Sequence, residues 1–346
     1  MKPSVINEKI FFGAANGYSG FRTNFDRIFS PRKLDKLFII KGGPGTGKSS
    51  LMRKVKEHFL SDADINTVLC SSDPESLDGL LITSDGITVG LVDGTAPHTM
   101  DPEYPGAVEE IINLGDSFNL ERLQTEKEKI IDLSDRKKEN YKRAYSSLKI
   151  AGYIYNNIFD IFSECACYNR AENDIVDFIG NGKNGESNII KSDFLLGAFC
   201  KSGYKILNNH SETKQYVLIK GDGISEYMIM TKIKEMLMLN SIDFTYYTSA
   251  FSENLYDAIE TSTTLYTITK GKEYSLDCTG FTPKNYEYEQ LKTSYLRMLE
   301  NAQLSLIKAS EYHFKLEAIY STAMSFEKND QKCAMIIDKM RKIFHK

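Results

Sequence analysis

Eight consecutive residues, Gly42-Gly43-Pro44-Gly45-Thr46-Gly47-Lys48-Ser49, have the types and the spacing to do chemistry, because they satisfy Gly-x-x-x-x-Gly-Lys-Ser/Thr in full. Average composition gives a chance match in a chain of this length odds of roughly one in a hundred. Each position answers a physical demand. The glycines let the backbone turn its N–H groups inward with no Cβ in the way, so those donors can ring phosphate oxygens. Lys48 would reach the β- and γ-phosphates, and Ser49 would ligate Mg²⁺. A helix that starts here puts its positive end beneath the phosphates. A glycine-rich turn that merely caps a helix would need neither Lys nor Ser in those places. The expected nucleotide contacts are these eight residues together with Ser50.

A phosphate loop needs a carboxylate near its metal, usually at the end of a neighbouring buried strand. Asp93 closes the apolar run Ile87-Thr88-Val89-Gly90-Leu91-Val92 and is the leading candidate for the Mg²⁺ shell beside Ser49. An Asp in that turn can also accept backbone hydrogen bonds. Asp73 and Asp78 follow the second strand, and Asp73 is expected to position metal or water. Lys48, Asp73 and Asp93 are therefore the expected catalytic residues. His98 lies just past the Asp93 strand, either as a turn histidine or as a group facing ligands at the sheet edge. Glu109 and Glu110 read as the start of a helix. Arg53 lies on the loop's own helix, and nothing in the sequence identifies an arginine finger.

Positioning these groups takes an α/β unit. The spacing predicts a strand over 37–41, a helix over 48–60, a strand over 67–71, a short helix near 75–81 and a strand over 87–92. Strands alternating with helices imply a parallel sheet. The unit then recurs. Leu37-Phe38-Ile39-Ile40-Lys41-Gly42 has a counterpart in Tyr216-Val217-Leu218-Ile219-Lys220-Gly221. Residues 52–77 lie over 230–255 at a constant offset of 178 with eight identities in 26 positions, against about 1.6 by chance. That offset puts Phe251 in the place of Asp73 and Tyr256 in the place of Asp78. Leu91-Val92-Asp93 matches Ser275-Leu276-Asp277 at an offset of 184, so Asp277 is the expected counterpart of Asp93. In the second copy the loop is Gly221-Asp222-Gly223-Ile224-Ser225-Glu226-Tyr227, one residue shorter, with Glu226 and Tyr227 where the first has Lys48 and Ser49. A carboxylate in the ammonium's place repels phosphate, so the second half is expected not to hold ATP in the ordinary manner.

Each α/β part is followed by long helical segments. Residues 120–166 are charged and helical, rich in Lys and Arg over 135–143, and suit either a solvated hairpin or an arm that meets a partner. Residues 286–345 are again helical. The polar, Gly-rich stretch 181–187 is the one clear linker, which predicts domains over 1–183, with a helical hairpin at about 118–182, and over 188–346. The expected fold class is α/β, a P-loop NTPase fold with a parallel sheet, internally duplicated, each half followed by long helices.

Composition bounds the rest. A chain of 346 residues with 41% hydrophobic and 26% charged residues is a folded globular protein of about two domains. Its 43 basic and 47 acidic residues leave a net charge of -4, which disfavours nucleic acid and anionic membrane as partners. No apolar run is long enough to span a membrane and no hydrophobic signal region follows the start, so a cytoplasmic location is expected. The six cysteines have no paired metal-ligand spacing and are expected as thiols, with Cys165 and Cys167 packing residues.

Residues 41–49, 70–79, 92–98 and 105–110 together resemble a family of uncharacterised bacterial P-loop ATPases found mainly in low-GC Gram-positive organisms and built from two tandem ATPase-like halves. The resemblance implies an ATPase and no particular substrate. In that family the second loop is often intact, and residues 221–227 depart from it here. The leading expectation is an Mg²⁺-dependent ATP-binding protein with slow hydrolysis at the first site and a pseudo-ATPase second half. One alternative is a small-molecule or nucleotide kinase, in which the 73–78 loop and His98 orient an acceptor hydroxyl. Another is a nucleotide-gated switch whose helical arms contact a protein or nucleic acid. The absence of an Asn/Thr-Lys-x-Asp guanine-reading segment tilts the expectation to ATP over GTP.

Overall fold

A computed structural model describes residues 8–164, 175–176, 179, 187–209, 214–268, 274–277, 282–283 and 285–345. The first half runs β1 (Glu8–Phe12), β2 (Ala14–Gly17), β3 (Gly20–Thr23), α1 (Phe25–Ile28), β4 (Lys36–Lys41), α2 (Lys48–Phe59), β5 (Asp64–Leu69), β6 (Leu77–Ser84), β7 (Ile87–Asp93) and β8 (Glu109–Asn113). A short 3-10 turn (Leu114–Ser117), α3 (Leu120–Thr125) and α4 (Lys127–Glu164) follow. The second half runs β9 (Ile189–Lys191), β10 (Gly197–Cys200), β11 (Gly203–Ile206), β12 (Gln215–Lys220), α5 (Ser225–Leu239), β13 (Phe244–Thr248), β14 (Tyr256–Glu260), β15 (Thr264–Thr267) and β16 (Tyr274–Asp277). Helices α6 (Tyr286–Thr322) and α7 (Phe326–Phe344) complete it.

Both halves share one plan. The first sheet has the order β1-β5-β6-β7-β4-β8 and the second the order β9-β13-β14-β15-β12-β16, so each strand has a counterpart. In each sheet the outer pair and the two pairs flanking the loop-bearing strand are parallel, while the middle three strands form an antiparallel meander. The sheets are thus mostly parallel rather than wholly so. The expected short helix near 75–81 is strand β6. Its reversal into β7 is a two-residue turn in which Asp85 and Gly86 have φ of 50° and 83°, the conformation that hairpins of matching twist require. Glu109 and Glu110 likewise open β8 rather than a helix, because β4 offers them a parallel edge.

Strand register corrects the alignment of the copies. Asp78 is the extra residue of a β-bulge where Val68 and Leu69 pair with Gly79 and Leu77. The same bulge recurs where Tyr247 and Thr248 pair with Ala258 and Tyr256, which makes Asp257 its counterpart. Asp73 corresponds to Ser252, since Ser76 N–H donates to the Asp73 carbonyl as Leu255 N–H does to that of Ser252. Ile39 pairs with Val92 and Leu218 with Thr267, so the residue in the place of Asp93 is Ile268. Asp277 lies opposite Lys220 as Asn113 lies opposite Lys41, and is therefore not the heir of Asp93.

The compact units are not consecutive halves of the chain. One comprises residues 1–13, 23–142 and 305–346, the other 14–22 and 143–304, which differs from the expected division at 183–188. Packing is the reason. Cys333, Ile336 and Met340 of α7 are buried with Phe38 and Ile40 of β4, Leu51, Met52 and Val55 of α2, and Ile82 of β6. Tyr18, in the β2–β3 turn, stacks on Phe251 at 5.2 Å. Residues 181–186 of the expected linker at 181–187, most of the expected hairpin beyond Glu164, and Cys165, Cys167 and Cys278 lie outside the described residues. Cys70, Cys200 and Cys333 are free thiols. No described helix is long and apolar enough to cross a membrane.

Candidate active site

Strand β4 delivers the chain into the loop of residues 42–49, and α2 leads it away. Buried Leu51, Met52, Val55 and Phe59 fix that helix on the sheet through one apolar face. Its N-cap, Gly47, has left-handed backbone (φ 82°) and makes no side-chain cap. Gly45 is also left-handed at φ 68°. Inside the loop the Thr46 hydroxyl donates to the Gly43 carbonyl at 2.8 Å. The N–H groups of Thr46, Gly47 and Lys48 donate to no acceptor among the described residues, leaving three donors on one turn of backbone.

Lys48 is largely buried. Its ammonium donates to the carbonyls of Gly42 at 2.7 Å and Gly43 at 2.8 Å and lies 3.6 Å from Asp93 Oδ2. Asp93 Oδ1 accepts from the Thr95 N–H at 2.9 Å and the Thr95 hydroxyl at 2.6 Å. One carboxylate therefore closes the turn after β7 and faces the loop lysine. Ser49 Oγ accepts from the Leu77 N–H at 3.0 Å, tying α2 to the start of β6. Ser50 is exposed on the first turn of α2, and Pro44 is partly exposed at the loop's crest. Asp73 sits on the loop between β5 and β6, where α4 brings the Tyr141 hydroxyl to Ser72. Burial pushes the Tyr141 phenol up to about 12. The structure brings Lys48 and Asp93 together, with Ser49 next to Lys48 on the first turn of α2 and Asp73 on the β5–β6 loop.

His98 is not an exposed group at the sheet edge. It is 8% exposed and stacks on Phe25 at 4.3 Å, with Nδ1 2.9 Å from the Asp93 carbonyl and Nε2 3.2 Å from Asp78 Oδ2. Burial opposes its charge, but the hydrogen bond and charge of Asp78, aided by Asp93, outweigh that and raise its pKa. Both nitrogens are engaged in bracing the β6–β7 end of the site.

The second loop is closed on itself. Glu226 accepts from the Gly223 N–H with both carboxylate oxygens at 3.1 Å, and Asp222 Oδ1 accepts from the N–H groups of Ile224 (3.3 Å) and Ser225 (3.1 Å). Asp222 Oδ2 accepts from Lys292 at 2.6 Å and the Tyr288 hydroxyl at 2.8 Å. Burial alone would raise the Asp222 carboxyl, yet Lys292, the Ser225 N–H and Tyr288 bring it to about 2. Burial raises the Glu226 carboxyl. Two carboxylates of the chain occupy the donors that an anion would use.

Residues far along the chain complete the first site. A Cβ at Gly45 would lie 2.5 Å from the Glu317 carbonyl oxygen, so α6 lies directly against the loop. Asn329 of α7 donates to the Thr46 carbonyl at 2.7 Å. The Glu317 carboxylate is held below the usual range by His313, 3.5 Å away, by the Gly45 N–H and by the nearby Lys48 charge. More than 260 residues separate Glu317 from the loop it touches, so no local spacing could have announced it. No family model matches this chain, and neither a curated protein nor a solved structure matches it.

Proposed function

We propose that this chain is an Mg²⁺-dependent ATP-binding protein of the P-loop NTPase type that hydrolyses ATP at the loop of residues 42–49. One contrast carries the reading: the first loop keeps the N–H groups of Thr46, Gly47 and Lys48 open, whereas the second spends its donors on Asp222 and Glu226. Three open donors at a helix N-terminus beside a lysine form a cradle for phosphate oxygens.

The donor set fits a magnesium nucleotide. Ser49 and Asp93 supply the hard oxygens that Mg²⁺ prefers, and among the described residues no trio of His, Cys, Asp or Glu could hold a metal without a ligand's help. When bound, Mg²⁺ would neutralise charge on the β- and γ-phosphates. Lys48 exchanges its carbonyl partners for phosphate, which leaves Asp93 Oδ2 free of its ammonium neighbour while Oδ1 stays anchored by Thr95. Asp73 takes the water-positioning role. His98 is engaged at both nitrogens, Nδ1 with the Asp93 carbonyl and Nε2 with Asp78, which argues against the kinase alternative, since that needs His98 for an acceptor hydroxyl.

Calorimetric titration with MgATP and MgGTP tests the reading. One nucleotide per chain is expected, with ATP bound more tightly. Lys48→Ala should weaken ATP binding roughly 10- to 150-fold, the value of one charge-assisted hydrogen bond of about 1.5–3 kcal/mol. Unchanged affinity in that variant, or a stoichiometry near two, would sink it.

A further inference from the structure

Thr46 and Asn329 are both buried, at 1% and 6% exposure, and the Asn329 amide donates to the Thr46 carbonyl at 2.7 Å. Only Nδ2 can face a carbonyl, since Oδ1 has no proton to give. Oδ1 is buried with no hydrogen-bond partner among the described residues, so the amide is used at one end only and its burial costs stability. No backbone N–H of the described residues reaches the Thr46 carbonyl. The next carbonyl, that of Gly47, accepts from the Leu51 N–H at 2.9 Å, the first bond of α2. Two successive carbonyls of the loop are thus held by different means, one by the helix itself and one by a side chain 283 residues away. A trans peptide is planar and points its C=O and N–H in opposite directions. The Thr46–Gly47 peptide is trans, so holding its carbonyl on the α7 side turns the Gly47 N–H to the other side. Of the open donors, the Lys48 N–H is therefore aimed by α2 and the Gly47 N–H by Asn329. Without that hold the peptide can turn over, because position 47, at φ 82°, is a glycine and tolerates either sense. Turned over, it offers phosphate a carbonyl oxygen in place of a donor.

We propose that Asn329 is a positioning residue of the phosphate loop, which from α7 fixes the 46–47 peptide so that the Gly47 N–H is presented to a nucleoside di- or triphosphate. The inference rests on the reading of residues 42–49 as an ATP site. The donor is carried by the packing that seats α7: Cys333 and Ile336, one and two turns further on, are buried in the first sheet's core. Asp330 beside it pairs with Lys54 of α2 at 2.5 Å. Helix α7 thus ties the aim of one loop donor to the seating of the chain's last helix on the sheet.

The test uses the full chain with Mg²⁺ and calorimetry. Asn329→Ala should weaken ADP and ATP by about tenfold each, because the loop's donors serve phosphates that both nucleotides carry. In chain labelled with ¹⁵N at glycine and lysine, ADP should shift the Lys48 amide resonance in this variant as in the parent, while the shift of the Gly47 amide is lost. A merely structural asparagine would move both amides together. Asn329→Asp adds a pH profile. Burial raises a carboxyl's pKa at such a position, and the protonated acid donates to the Thr46 carbonyl as the amide does, whereas the ionised one cannot. Its ADP affinity should lie within about threefold of the parent's at pH 5 and be weaker by about tenfold or more at pH 8. Unchanged ADP affinity in Asn329→Ala, joint loss of both amide shifts, or a ratio to the parent that stays flat with pH in Asn329→Asp would overturn the role. Where the aspartate variant does not fold, the alanine variant's affinities and its two amides decide. If the unaltered chain binds neither nucleotide, the loop reading fails and this inference falls with it.

Discussion

Asp93 serves two masters with two oxygens, and that division makes its role separable by experiment. Oδ1 is tied to Thr95, while Oδ2 points toward Lys48 at 3.6 Å. An asparagine keeps an acceptor for the Thr95 N–H and lacks the charge. Asp93→Asn should therefore fold with an unfolding midpoint close to the parent and bind nucleotide. Turnover should fall by about a hundredfold, with weakened Mg²⁺ dependence. Thermal melting together with ADP release decides the matter: a variant that unfolds yet retains turnover per folded molecule would make Asp93 a turn residue only. The replacement of Asp93 by Ile268 in the second copy fits a charge needed only where Lys48 and Ser49 are present.

The bulge shared by β6 and β14 places an acid inside each half, and the two acids are satisfied differently. Asp78 meets His98, whereas Asp257 is fully buried and receives the Tyr204 hydroxyl at 2.8 and 2.9 Å. Burial lifts the Asp257 carboxyl to about 7, with Tyr204 and Ser249 opposing the rise. Folding therefore favours its protonated form. Its contribution to stability is largest at low pH and is lost as pH rises from the ordinary carboxylate range through about 7. Asp257→Asn should remove that slope, so denaturant unfolding of the two proteins should diverge by on the order of a few kcal/mol between pH 4 and pH 8. Parallel curves would show that Asp257 stays charged in the fold. At this scale legibility was uneven. The apolar runs of β4 and β7 and the face of α2 are plain in the sequence, whereas β6 reads as a helix unless the Asp85-Gly86 turn is weighed. The bulges shift the copies by one residue just where the acids lie, so ungapped identity assigns Asp78 a tyrosine when its true counterpart is an aspartate.

At the scale of the molecule, the first unit depends on residues from both ends of the chain. Residues 42–49 stand out in the sequence as a candidate phosphate loop, but their cover by Glu317 and Asn329 does not, because contacts across such separations leave no periodic trace. A chain ended at residue 325 would lose buried Cys333, Ile336 and Met340 from the first sheet's core, each large apolar side chain being worth about 1.5–3 kcal/mol. It should unfold at markedly lower temperature and bind ATP weakly. A truncated chain that melts and binds like the parent would contradict the interleaved units.

The self-closed second loop sets what a phosphate cradle there would require. To match the first loop it would need an added residue, a lysine for Glu226, a hydroxyl for Tyr227 and a carboxylate for Ile268. Each change alone meets a site already neutralised by Lys292 and by the loop's own N–H groups, so an isolated step opens an unpaired charge or a void before it yields any binding. A phosphate cradle in the second loop is therefore not reached by any single substitution. On the proposed reading the first loop alone takes phosphate, and the second is held by its own carboxylates and by Lys292.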